Sequence, residues 1–178
     1  IVFSQSFEYM DWITSLFEED INSDIIDIIK QKREMNESDR ESFLARFSSV
    51  SEKSLIAFAV LGGLFAEGID LVGECLSGVI IIGVGIPQND IYNEIIKDYY
   101  SNLFGNGYDF AYRFPGFNKI LQAAGRVIRT ENDRGFVILI DERYANPEYT
   151  ALFPAEWNIV YPQSTAELTD NLYEFFNS

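Results

Sequence analysis

The sequence has no histidine and one cysteine, Cys75. Without a second cysteine the chain forms no internal disulfide. Without histidine it has neither Ser-His-Asp nor Cys-His chemistry, and the usual donors of a zinc site are missing. A lone cysteine reads as a small core residue. Positive charge is scarce too: 13 Lys and Arg stand against 28 Asp and Glu, a formal net charge of −15. Phosphate contacts from Lys and Arg supply most nucleic-acid affinity, so bulk DNA repels a domain of this charge. Either it avoids nucleic acid, or it adds a few local contacts to a site built mostly by other domains. No apolar run reaches the roughly 18–20 residues of a membrane span. The chain opens directly on the apolar run Ile1-Val-Phe3, without the basic start of a signal peptide. No Gly-x-x-x-x-Gly-Lys-[Ser/Thr] loop occurs, so the chain has no P-loop of its own for a nucleoside triphosphate. The simplest reading is an intracellular piece of a longer protein.

What is present suits one globular domain over residues 1–178: 47% hydrophobic and 15% aromatic residues, with 23% charged. Apolar strand-like runs alternate with helical patterns. Strands are expected at Ile1–Phe3, Ile25–Ile29, Leu55–Leu61, Gly78–Val84 and Gly135–Ile140. Gly78–Val84 is apolar on both faces, as a central strand of a parallel sheet must be. Helices are expected at Phe7–Glu19 with Ser6 as N-cap, and at Glu37–Phe47 with a Ser38/Glu41 capping box. Further helices are expected at Asp90–Leu103, Pro115–Arg129 and Thr165–Phe176, the last with Leu168, Leu172, Phe175 and Phe176 inward. Alternation of this kind predicts an α/β fold with a mainly parallel sheet and helices on both faces. Ligands then bind beyond the carboxyl ends of the strands, which directs attention to the loops after Phe3, Leu61, Val84 and Ile140.

Within the helix expected at Pro115–Arg129, Gln122, Arg126 and Arg129 stand at i, i+4 and i+7 and share one face. Gly125 beside that stripe lets a ligand approach the backbone. Guanidinium forks suit phosphate. Six of the 13 Lys and Arg fall between Arg113 and Arg143, and none follows. This concentration fits a local anion site in an otherwise repulsive domain. Asp141-Glu-Arg143 reads as a structural ion pair, and the aromatics Tyr99, Tyr100, Tyr108, Phe110 and Tyr112 as loop packing rather than base stacking.

Gln122-Ala-Ala-Gly-Arg126-Val-Ile-Arg129 resembles motif VI of the superfamily 2 helicases. Phe65-Ala-Glu67-Gly68-Ile69-Asp70 resembles motif V of the DinG and XPD (Rad3) branch. Ile1-Val-Phe-Ser-Gln-Ser6-Phe7 is similar to motif IV of that branch, with Phe7 where tyrosine is usual. The three occur in order, and Asp133-Arg-Gly135 and Asp141-Glu-Arg143 continue the likeness. It implies a RecA-like three-layer sandwich, the second motor domain of an ATP-dependent 5′→3′ DNA helicase. By the same resemblance Arg126, Arg129 and Gln122 act on ATP held by the preceding N-terminal helicase domain. Glu67, Gly68, Asp70 and Gly125 face the nucleotide, while Ser4, Ser6, Gly62 and Gly63 line single-stranded DNA. The partner domain would supply the P-loop lysine and the carboxylate for Mg²⁺, and in many members an iron–sulfur cluster that this chain lacks the cysteines to hold. The isolated chain is then expected to be inactive, and the whole protein to work in the cytoplasm at the bacterial nucleoid. A non-catalytic RecA-like docking module, or a DinG-like motor or nuclease that does not unwind, are the rival readings.

Overall fold

The computed structural model describes residues 1–21, 24–48, 51–63, 65, 76–127 and 134–177. Five strands, β1 (Val2–Ser4), β2 (Ile26–Lys30), β3 (Ser54–Val60), β4 (Gly78–Ile82) and β5 (Phe136–Ile140), form one sheet in the order β2-β3-β1-β4-β5. Every neighbouring pair is parallel. Helix α1 (Phe7–Asp20) lies between β1 and β2, α2 (Glu37–Ser48) between β2 and β3, and α3 (Ile91–Phe104) and α4 (Phe114–Ala124) between β4 and β5. The chain divides into two compact units, Ile1–Tyr144 and Ala145–Ser178. The second holds the short helix α5 (Pro147–Thr150), a stacked Phe153–Trp157 pair and α6 (Thr165–Asn177).

Side chains alternate across a strand, so the two faces of the sheet are read directly from residue parity. Val2, Phe58, Ile80 and Ile82 point to one face and pack with Met10, Ile13 and Phe17 of α1. Phe3, Ala57, Ala59, Val79 and Ile81 point to the other, and each has no exposed surface. Complete burial on that second face requires a helical layer, and α4 meets β4 with Ile120 and Ala123 fully buried. Burying one such side chain contributes about 1.5–3 kcal/mol. The expected α/β fold with a parallel sheet and helical layers is the one observed.

The helix ends carry the local signals in modified form. Ser6 caps α1, its Oγ accepting from the Tyr9 N–H at 3.2 Å. Asp90 caps α3, and Gly105 ends it in the left-handed region at φ 75°. At α2 the capping box lies two residues earlier than expected. Asn36 Oδ1 accepts from the Asp39 N–H at 2.9 Å, and Asp39 Oδ2 accepts from the Asn36 N–H at 3.4 Å. An amide and a carboxylate thus do what Ser38 and Glu41 were expected to do. The apolar side of α6 is less covered than its periodicity implies. Leu168, Leu172 and Phe175 are half-buried, and Phe176 is 52% exposed.

Candidate functional site

In a parallel sheet all carboxyl ends share one edge. The chain leaves β1 toward β2 and leaves β4 toward β5, in opposite directions, so a crevice opens between the ends of β1 and β4. The Gln5 side chain lies against Gly83 there, and the Tyr144 hydroxyl donates to the Gly83 carbonyl at 2.6 Å. One strand away, the Leu61 N–H donates to the Ser4 carbonyl at 2.8 Å and continues the ladder past β3. The buried Gln31 closes the other side, its Oε1 accepting from the Val60 N–H at 2.8 Å. These bonds fix the turn at Gly62–Gly63 in space. Gly62 has φ +76°, a conformation that suits glycine.

Helix α4 starts at this edge. Gly116 packs so tightly on the end of β4 that a Cβ there would sit 2.8 Å from the Val84 carbonyl oxygen. The helix is preceded without a break by the wider-wound turn Asp109–Arg113, rather than beginning afresh at Pro115 as expected. One turn into α4, the stem of Lys119 lies over Gly62. Another turn on, Gln122 is exposed.

The helix ends at Ala124, five residues short of the expected Arg129. Gly125, Arg126 and Val127 form a tighter turn, with Arg126 N–H to Ala123 O at 3.2 Å and Val127 N–H to Ala124 O at 3.1 Å. Bonds of this i→i−3 kind advance about 120° per residue instead of about 100°. The regular helical spacing that would put Gln122, Arg126 and Arg129 on one face therefore ends before Arg126. Gly125 is exposed and Arg126 half-buried, while Val127 is buried beside Gly135, just before β5. Arg129, Glu67, Gly68 and Asp70 lie outside the described residues.

The remaining site expectations divide. Ser6 is exposed but its hydroxyl serves the α1 cap. Ser4 is 2% exposed and its hydroxyl donates to the Ser6 carbonyl at 3.3 Å, so its side chain faces inward. Gly62 and Gly63 are half-buried at the carboxyl edge. Arg143 is the structural partner expected, gripping Asp141 through Nε at 2.8 Å and a second guanidinium nitrogen at 2.7 Å. That pairing holds the Asp141 carboxyl below the usual carboxylate range. Of the aromatics, Phe110 stacks on Tyr100 with centroids 4.3 Å apart. Tyr112 donates to Glu94 at 2.7 Å, and that hydrogen bond pushes its hydroxyl up to about 12. Tyr99 and Tyr108 stay exposed. Lys119 and Gln31 were missed. Lys119 stands at i−3 from Gln122, a spacing that could have placed it beside the motif, whereas nothing local in the sequence marks Gln31.

A cavity of about 600 Å³ lies beside α1, over Ile56, Phe58 and Ile80. It is apolar, and its rim charges Asp27, Arg46 and Lys53 pair with one another. None of the residues that line it belongs to the glycine turn or to α4. Among the described residues no group of carboxylates fits a metal, and the one cysteine of the chain supplies at most one of the four thiolates of an iron–sulfur cluster. No helix among the described residues is long and apolar enough to cross a membrane.

Comparison with known proteins agrees with this architecture. The chain is 36% identical over 89 residues to the ATP-dependent DNA helicase DinG of Photobacterium profundum, covering 49% of this chain and 13% of that protein. It is 32% identical over 113 residues to the ATP-dependent DNA helicase XPD of Sulfolobus acidocaldarius, covering 61% and 20%. The chain thus spans a fifth or less of the length of these relatives. A solved structure named XPD_APO superposes with a TM-score of 0.63 at 26% identity, over 84% of this chain and 30% of the other. A second, XPD_Helicase, gives 0.61 at 24% identity, over 85% and 26%. The family model for the helicase C-terminal domain matches residues 1–159, and the chain belongs to that family, in the branch of the DinG and XPD helicases.

Proposed function

We propose that this domain is the second motor domain of an ATP-dependent DNA helicase moving 5′→3′ on single-stranded DNA. The observation that carries the reading is the end of α4. There an exposed Gln122, an open Gly125 backbone and Arg126 close a helix whose Phe117, Ile120, Ala123 and Ala124 are buried. Arg129 follows in sequence, and Glu67, Gly68 and Asp70 complete the nucleotide side. With no P-loop in the chain, the triphosphate is held by the N-terminal helicase domain, which also supplies the carboxylate for Mg²⁺.

In this reading Arg126 and Arg129 approach the γ-phosphate when the two domains close. Their fixed charge is matched to the negative charge spread over the equatorial oxygens in the transition state, while Gln122 orients the attacking water. The carboxyl-edge turn at Gly62–Gly63 and the exposed Ser6 contact the DNA backbone, with the inward Ser4 holding that edge in register. Backbone amides bind phosphate without any basic side chain, which accommodates the charge of −15. Any iron–sulfur cluster belongs to the part of the protein outside these 178 residues.

The test is substitution in the full-length protein. Arg129→Ala is expected to lower DNA-stimulated ATP hydrolysis by about 10³-fold or more while ATP binding is retained. Hydrolysis at the wild-type rate would remove Arg129 from the reaction.

A further inference from the structure

We infer that Lys119 is a phosphate-binding residue which, with the Gly62–Gly63 turn, grips the backbone of single-stranded DNA. The inference rests on the motor-domain reading and adds a residue to it. The chain has five lysines. Lys30, Lys32, Lys53 and Lys97 each lie within ion-pairing distance of a carboxylate. Lys119 has no such partner among the described residues. In so acidic a chain, a cation with no ion pair to any carboxylate among the described residues points to an anion from outside.

Its position is also built. The Lys119 stem is half-buried, and its Cδ, Cε and Nζ lie 2.9, 3.0 and 3.3 Å from where a Cβ on residue 62 would sit. A Cβ at residue 62 would push the flexible end of Lys119 aside, and φ +76° at the same residue independently favours glycine. The methylenes and the ammonium both lie against the turn, the stem covering it as long basic side chains cover apolar surface. The Gly62 N–H has no acceptor among the described residues. An amide in a left-handed turn beside an ammonium, neither with a partner among the described residues, is an anion-binding pair. The turn lies at the carboxyl edge of the sheet, whereas Val127, next to Arg126, packs beside Gly135 before β5. Lys119 therefore belongs with the strand-end turn rather than with Arg126, and the phosphate it fits is that of DNA rather than ATP.

The experiment is a salt titration of oligothymidine binding to the full-length protein, as wild type, Lys119→Gln and Lys119→Arg, with the KM for ATP measured alongside. Losing one phosphate contact makes the plot of log affinity against log salt shallower by about 0.7 for a single strand, or about fivefold in affinity at 0.1 M salt. Lys119→Gln is expected to show that change with an unaltered KM for ATP, and Lys119→Arg to restore the wild-type slope. A wild-type slope in Lys119→Gln overturns the inference and leaves the motor reading standing. A raised KM for ATP with an unchanged DNA slope overturns it in favour of a nucleotide contact. A wild-type protein that binds no single-stranded DNA overturns both.

Discussion

Arg143 and Lys119 are both cations on the same unit, and the structure uses them differently. Arg143 closes on Asp141 two residues away with two guanidinium hydrogen bonds, and the Asp141 carboxylate also accepts from the Arg143 N–H at 3.0 Å. A carboxyl held below its ordinary value stabilises the fold fully above the unfolded value of about 3.9. That stability fades as pH falls through the lower folded value. Urea unfolding of the wild type and Asp141→Asn should therefore differ at pH 6 and draw together as pH falls through the lowered folded value. A constant difference across this range would assign the pair a purely steric role. The Asp-x-Arg pair was legible in the sequence because both partners lie in one short segment after a strand. Lys119 was not, because its neighbour Gly62 lies 57 positions earlier and meets it only through the packing of α4 on the sheet end. Ser4 misled for a related reason. Hydroxyls at a strand end suggest ligand contacts, but in this register the side chain turns inward to the Ser6 carbonyl.

At the scale of elements, α4 is set by its first turn. Gly116 lies on the backbone of Val84, Gly85 and Ile86, where a Cβ would meet the Val84 carbonyl oxygen at 2.8 Å and the Ile86 nitrogen at 3.1 Å. Backbone cannot move aside as a side chain can, so Gly116→Ala should cost about 1–3 kcal/mol of stability. It should also weaken ATP hydrolysis in the full-length protein by displacing Gln122 and Arg126. Chemical denaturation together with turnover measures both; an alanine variant of unchanged stability would show that the contact is loose. The strands were readable because parallel strands buried on both faces leave continuous apolar runs. The last turn of α4 was not, because Val127 and Ile128 prolong the apolar pattern past the point where backbone bonding tightens. The wide turn before α4 was hidden likewise: Phe110 and Tyr112 are held by Tyr100 and Glu94 of α3, a tertiary cause that local propensity does not report.

For the whole molecule, the charge of −15 and the missing P-loop support the proposal of a domain that shares its site with another. Repulsion from bulk DNA is compatible with a motor if contacts are few and local, at the glycine turn and Lys119, and if the opposing domain supplies the rest. ATP turnover by the highly purified 178-residue chain, compared with the full-length protein under the same single-stranded DNA stimulation, is the most direct measurement. The account predicts no turnover by the chain alone and DNA-stimulated turnover by the full-length protein. Robust hydrolysis by the isolated chain would contradict the assignment of these arginines to half of a shared site.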